Sequence, residues 1–176
     1  MLNNKKHEIN MDLIMARSAD GFFAKDDNDS MKWTGKKDKE FFKLFTMLGN
    51  TTLLCGGPTA FTMPSLPYRN LEVVTRSKSN NLSFMPKNGE LLKLINFNQL
   101  KEKKYQNAKV IGGPMFARSV IDQGYIKYAY ISVIPIELGS GIGVGLNSYL
   151  KDFQYTLINF GGLEIRKYKL KGEKND

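Results

Sequence analysis

The sequence predicts an α/β domain: a mixed, mostly parallel sheet with helices on both faces and an antiparallel hairpin at its C-terminal end. Three observations predict it. Apolar strand-like runs alternate with helix-periodic segments through the first three-quarters of the chain, the pattern of strand–helix–strand units. Two Gly-Gly-Pro turns, Gly56-Gly57-Pro58 and Gly112-Gly113-Pro114, stand where a strand hands over to a helix. The last quarter carries two strand-like runs split by Gly161-Gly162, which reads as a hairpin.

Each element has its own signal. Ile9 to Ala16 is an apolar strand, and Asp20-Gly21 turns the chain into a loop that runs to about Thr34. Residues 36–48 read as a helix because Phe41, Phe42, Phe45 and Leu48 recur at helical spacing, with Gly49-Asn50 as the stop. Thr51 to Cys55 is a strand, and Pro58 suits the first turn of a short helix that Pro64 ends. Leu71 to Thr75 is a third strand, followed by a polar loop. Leu91 to Phe97 reads as another strand, and Asn98 is placed to cap a helix through about Lys104. Ala108 to Ile111 is a strand, Gly112-Gly113-Pro114 opens a helix to about Gln123, and Lys127 to Ile134 is a strong strand. The Gly-rich stretch 139–145 has G-x-G-x-G character but precedes no clear helix, so it reads as a flexible loop. Phe153 to Ile158 and Leu163 to Leu170 make the hairpin.

A chain of 176 residues fits one domain, here residues 9–170, between a polar arm (1–8) expected to be disordered and a polar tail (171–176). With 41% apolar and 24% charged residues the composition is globular, and a core of this size needs neither disulfide nor metal. The single cysteine, Cys55, excludes an internal disulfide and reads as a small core hydrophobe. The polar start and the lack of an apolar run near ~20 residues lead to the expectation of a soluble, cytoplasmic protein that engages no membrane. The net charge of +9 suits an anionic ligand, but the lysines are scattered, and no basic stretch interleaved with aromatics points to nucleic acid. His7 is the only histidine and lies in the arm, so neither a Ser-His-Asp triad nor an ordinary Cys/His zinc site can form; no metal is expected.

Sheets of this kind bind ligands at the carboxyl ends of their strands. Chemistry is therefore expected in the loops after Ala16, Cys55, Thr75 and Ile111. Asp38, Phe42 and Phe45 are spaced i, i+4, i+7 and share one helix face. A carboxyl group on an aromatic stripe at a pocket wall has a raised pKa and suits acid–base work. A first-turn Asp facing water, favoured by the helix dipole, fits the same spacing. The two glycine pairs at strand-to-helix turns can admit phosphate to the helix N–H groups, or can be simple tight turns. Thr75-Arg76-Ser77-Lys78 suits a monophosphate ester, or is a solvated loop.

Taken in order, these motifs resemble the dihydrofolate reductase superfamily, which includes the pyrimidine reductases of riboflavin synthesis. Trp33-Thr-Gly-Lys-Lys-Asp38-Lys-Glu-Phe41-Phe42 resembles the family's Trp…Asp…Phe segment. Ser65-Leu-Pro-Tyr-Arg69 and Leu71-Glu-Val-Val-Thr-Arg76 resemble its Pro-Leu-Pro-x-Arg, strand and Thr/Ser-Arg. Val110-Ile-Gly-Gly113 resembles its cofactor turn. The resemblance covers about residues 9–170 and implies a three-layer dihydrofolate reductase-like fold using NADPH. It implies that Asp38, with Trp33 and Ser132, forms the catalytic set. Asp38 would bind the pteridine's N3 and 2-amino edge and support protonation of N5, and Ser132 would bond Asp38. Phe42, Phe45 and Leu66 are implied as the substrate wall, and Arg69 as partner of the glutamate α-carboxylate. Ile14, Met15, Ala16 and Ile111 would line the junction of pterin and nicotinamide. Gly56, Gly57, Thr59, Thr75, Arg76, Ser77 and Gly112, Gly113, Pro114, Met115, Phe116 would hold NADPH, with Ala16 and Phe23 beside them. Residues 20–33 would form a mobile loop over the site.

The departures carry information. The first glycine turn reads Gly57-Pro58 where the family usually has a basic residue, so phosphate charge falls to Arg76 or Lys78. The aromatic often found a turn into the Gly-Gly helix is not plainly matched, with Phe116 near it. Ile134-Pro-Ile-Glu-Leu-Gly-Ser-Gly-Ile142 resembles the riboflavin branch more than typical dihydrofolate reductases. Three functions follow: reduction of 7,8-dihydrofolate by NADPH in a monomer or homodimer, reduction of a ribosylamino-pyrimidine phosphate, and a non-enzymatic basic domain supported by charge alone.

Overall fold

Strand β1 (Met11–Ser18) is buried almost throughout, as expected for a central strand covered on both faces. Its side chains alternate between two cores. Leu13 and Met15 point to one, while Ile14 and Ala16 point to the other. The computed structural model describes residues 8–77, 83–84 and 86–171. His7 and Lys78 lie outside them, as do most of the N-terminal arm and of the tail.

After β1 the order is α1 (Gly35–Met47), β2 (Leu53–Gly56), α2 (Gly57–Thr62), β3 (Leu71–Thr75), β4 (Ser83–Phe84) and β5 (Leu92–Asn96). Then follow β6 (Lys109–Val110), α3 (Pro114–Asp122), β7 (Ile126–Ile134), α4 (Val144–Leu150), β8 (Tyr155–Phe160) and β9 (Leu163–Lys169). Among the described residues these strands form one nine-stranded sheet in the order β4-β5-β3-β2-β6-β1-β7-β9-β8. The strands from β5 to β7 across the sheet pair in parallel, and β4, β9 and β8 pair antiparallel. This is the mixed, mostly parallel sheet expected, with the C-terminal hairpin at one edge.

Helices α3 and α4 cover one face, burying Ala117, Val120, Ile121, Leu146 and Leu150 against Leu13, Val110 and Ile131. Helix α1 covers the other, with Phe41, Phe42 and Phe45 over Ile14, Cys55 and Val73. Its C-terminus is closed by a buried cation: Lys109 Nζ donates to the Phe45 carbonyl at 2.6 Å and to that of Leu48. This ammonium satisfies helix carbonyls that have no partner within the helix. Cys55 is fully buried, and burial pushes its thiol up to about 12, so it is unreactive core.

The structure corrects four expectations. The helix after β5 is two 3-10 turns, Phe97–Lys101 and Lys103–Tyr105, and its cap is Asn96, not Asn98. The Asn96 side chain accepts from the Asn98 N–H at 3.0 Å while Gln99 Oε1 accepts from the Asn96 N–H at 2.8 Å. Second, the Gly-rich stretch does precede a helix. Gly143, at φ 97, turns the chain into α4, whose Leu146 and Leu150 are buried one turn apart. Third, the preceding segment is no free loop: Ala24 and Ile142 form an antiparallel bridge. A Cβ on Gly141 would sit 2.3 Å from the Ala24 carbonyl oxygen, so glycine there permits the close approach. Fourth, β8 begins at Tyr155 rather than Phe153, because Phe153 packs on Tyr149 at the end of α4, ring centres 5.1 Å apart. Strand β4 is an addition, two residues long and too short to show any period.

Candidate active site

The carboxyl ends of β1, β2 and the strand segment ending at Ile111 meet at a cavity of about 440 Å³. Parallel strands bring their ends together here, and chain reversals leave a crevice between neighbouring loops. Ile14, Met15 and Ala16 of β1 form its floor, with Ile111 alongside. Asp38, Lys39, Phe42 and Lys43 of α1 make one wall. Met63 to Leu66 and Arg69 extend that wall after α2. Gly56, Thr59 and the turn Gly112 to Phe116 form another part of the lining, and Asp26, Asp27 and Asp29 to Met31 complete it from the loop after β1.

Asp38 and Phe42 therefore stand one turn apart in the lining of the same cavity. Burial raises the Asp38 pKa above the ordinary carboxyl range. The nearby hydroxyls of Ser132 and Thr34 and the charge of Lys39 pull it part of the way back. Neither hydroxyl closes a hydrogen bond of full geometry to the carboxylate. Thr34 Oγ1 donates to the Met31 carbonyl at 3.1 Å, and the fully buried Ser132 Oγ has no partner among the described residues. A buried, unpartnered hydroxyl beside a carboxyl group is a poised donor. Lys37, the other basic neighbour in sequence, turns away to Glu40 at 2.9 Å.

The turn after β6 is built around glycine. Gly112 lies at φ 140, where a side chain is strained, and a Cβ on it would approach Thr59 Cγ2 at 3.2 Å. The Gly113 N–H donates to Thr59 Oγ1 at 2.8 Å. A Cβ on Gly113 would meet that oxygen at 3.0 Å. Backbone without side chains thus faces the cavity at the start of the nine-residue helix α3. Backbone open to close approach and the positive end of a helix at such a place suit a phosphate. Arg69 is held in place by donating to Thr46 Oγ1 at 3.0 Å, and Thr46 is itself buried in α1.

Among solved structures, the chain is similar to dihydrofolate reductase from Enterococcus faecalis complexed with NADP(H) and RAB-propyl. The TM-score is 0.67 at 16% identity, covering 91% of this chain and 95% of that one. It is also similar to a riboflavin biosynthesis protein from Shewanella sp. PV-4, with a TM-score of 0.64 at 17% identity and coverages of 92% and 98%. RibD from Acinetobacter baumannii gives 0.65 at 15% identity, this chain spanning 58% of that protein. No family model and no curated protein sequence matches. The chain has the dihydrofolate reductase-like fold.

Within the dihydrofolate reductase-like fold, the residues singled out from sequence divide into two groups. Ile14, Met15, Ala16, Phe23, Asp38, Phe42, Leu66, Arg69 and Ile111 line the cavity, as do Gly56, Thr59 and Gly112 to Phe116. Seven others do not. Phe45 packs on Tyr130 at 4.8 Å between ring centres, beneath the Lys109 ammonium. Trp33 lies in the core cluster behind the loop and donates its indole N–H to Asp29 at 2.8 Å. Ser132 is fully buried beneath Asp38's helix. Gly57 opens α2 with its Cβ position directed at Phe84, 3.9 Å away. Thr75 accepts from the Ser77 N–H at 3.1 Å, and Arg76 turns to Ser119 of α3 and to the Phe97 ring, 5.8 Å away. Lys39, Lys43 and Met63 also line the cavity, beyond the residues to which the sequence motifs point. Lys43 follows Phe42 directly and stands one turn after Lys39, so the stripe that selects Asp38 and Phe42 also carries them.

No helix among the described residues is long and apolar enough to cross a membrane. No group of three or more His, Cys, Asp or Glu side chains among them could hold a metal.

Proposed function

We propose that this chain is an NADPH-dependent reductase that converts 7,8-dihydrofolate to tetrahydrofolate. The observation that carries the reading is the Asp38 carboxyl: a half-buried acid with a raised pKa, lining one cavity together with Phe42, Arg69 and the Gly112–Gly113 turn. Similarity to a solved dihydrofolate reductase that holds NADP(H) supports it.

The groups present suit this cofactor. Gly112 and Gly113 let its pyrophosphate approach the backbone closely at the positive end of α3, with the Thr59 side chain holding the turn through the Gly113 N–H. Ala16, Phe23 and Phe116 lie in the same lining. When bound, NADPH supplies the hydride that is added at C6 of the substrate.

The chain's own residues bind, orient and manage the proton. Asp38 takes the N3 and 2-amino edge of the pterin. Burial raises its pKa above the ordinary carboxyl range, which favours the protonated form and supports delivery of a proton to N5. Ile14, Phe42 and Leu66 pack on the rings and exclude water. Arg69, held by Thr46, pairs with the glutamate α-carboxylate, and Lys39 and Lys43 add positive charge to the same wall. Holding both partners in contact distance lowers the barrier mainly by orientation.

The test is steady-state oxidation of NADPH with and without dihydrofolate. Substrate-dependent oxidation, competed by methotrexate, is the expected result; no dihydrofolate-dependent turnover refutes the reading. A second reading, reduction of a ribosylamino-pyrimidine phosphate, is favoured by Ile134 to Ile142 and by the similarity to riboflavin-pathway proteins. In it Arg69 meets a substrate phosphate, and methotrexate does not compete.

A further inference from the structure

The loop after β1 carries a carboxylate whose two oxygens are both spent on the loop itself. Asp29 Oδ2 accepts from the Lys25 N–H at 2.7 Å and from the indole N–H of Trp33 at 2.8 Å. Asp29 Oδ1 accepts from the Met31 N–H at 2.7 Å. Three donors on one side chain tie the two ends of a nine-residue segment together. They also support a costly backbone conformation, since Met31 sits at φ 54, left-handed for a residue with a side chain. Met31 is fixed from the other side too, because its carbonyl accepts from Thr34 N–H and Oγ1 at 3.4 and 3.1 Å. Thr34 is the residue from which α1 starts, and Asp38 lies in the first turn of that helix. The Met31 side chain lines the cavity, and Trp33 packs behind it with Phe41 and Phe160.

We propose that Asp29 is a positioning residue of the reductase site: its carboxylate folds residues 25–33 into the cavity wall and sets Met31 against the bound ligands. The inference rests on the reductase reading for its effect on ligand binding, but its structural half stands without it. Asp29 touches no reacting atom; it acts through Met31 and Trp33. Neither ordinary surface solvation nor a role in binding a cation accounts for both oxygens facing backbone and indole donors. Removing the carboxylate frees the loop. Ligands must then order it at their own cost, so affinity falls more than the rate of the bound complex.

Trp33 is the single tryptophan in the chain and reports on the latch directly. In Asp29→Ala the indole N–H resonance is expected to move upfield and lose exchange protection. Trp emission is expected to shift to the red and become more accessible to acrylamide, with far-UV circular dichroism unchanged. KM for NADPH or the second substrate is expected to rise on the order of tenfold, with kcat falling less than threefold. Asp29→Asn keeps one acceptor oxygen and is expected to fall between wild type and Asp29→Ala in both readouts. An unaltered indole resonance in Asp29→Ala overturns the latch. A displaced resonance with unaltered KM overturns the positioning role. If the wild-type chain shows no thermal shift with NADPH, the reductase reading fails along with the effect on binding. The Trp33 signals then still decide whether Asp29 holds the loop.

Discussion

Replacing Gly112 by alanine separates the demands of the cavity turn from the ordinary cost of changing a glycine. The backbone at Gly112 has φ 140, a region nearly closed to residues with a Cβ, and the new methyl would lie 3.2 Å from Thr59 Cγ2. Such a conformation costs roughly 2 kcal/mol. With an unfolding entropy of about 2.1 cal/mol/K per residue over 176 residues, that lowers Tm by about 5 °C. The comparison is Gly145→Ala. Gly145 lies within α4, its φ is not positive, and a Cβ there meets nothing within 4 Å. Alanine in place of glycine inside a helix stabilises by roughly 0.5–1 kcal/mol, or about 1–3 °C. The two substitutions are chemically identical and are expected to move Tm in opposite directions. Differential scanning fluorimetry measures both, and adding NADPH extends the test. A ligand at 100 times its Kd stabilises by about 2.7 kcal/mol, so wild type and Gly145→Ala gain about 7 °C. Gly112→Ala, with Thr59 displaced from the turn, gains much less. Equal and same-signed effects of the two substitutions, or an undiminished NADPH shift in Gly112→Ala, would refute the assignment of this turn to the cofactor.

Three further outcomes follow from the same geometry. Because burial raises the Asp38 pKa in the folded state, the stability it contributes is complete below about pH 4 and is lost as pH rises through the folded value. Asp38→Asn should therefore be more stable than wild type at pH 7 and lose that advantage towards pH 3, read as Tm against pH; a variant less stable than wild type at pH 7 contradicts this. Arg69→Lys removes the planar fork and the contact to Thr46, so KM for dihydrofolate should rise tenfold or more while kcat is largely kept; an unchanged KM leaves Arg69 without a role in substrate binding. Lys109→Met leaves the carbonyls of Phe45 and Leu48 without their donor and should cost about 1–3 kcal/mol in urea denaturation, which an unaltered midpoint excludes.

Much of this fold is legible in the sequence because burial imposes periodicity. Leu71–Thr75 is a short run of apolar and β-branched residues between turn signals, and the strand has those bounds. Phe41, Phe42 and Phe45 announce α1 because one helix face must cover the sheet. Helix α4 is not legible in the same way: Gly143 and Gly145 look like loop composition, and only two buried leucines, Leu146 and Leu150, carry its helical signal. In the site, Asp38 is conspicuous as an acid on an aromatic stripe, and Gly112–Gly113 as glycine at a strand-to-helix turn. Arg76 shows the limit of such reasoning. A basic residue at a strand's end suits a phosphate, but its orientation depends on Ser119 and Phe97, which are distant in sequence. The Asp29 latch is equally invisible, since bonds from one carboxylate to two backbone N–H groups and an indole follow no repeat.

The role of the half-buried acid on α1 is tested most directly by following NADPH oxidation with dihydrofolate across pH in wild type and Asp38→Asn. Wild type should turn over, with a rate that falls as pH rises through the raised pKa of this group, and the variant should lose about 10²–10⁴ in rate together with that step. Turnover of the variant with the same rate and the same pH profile would contradict the account.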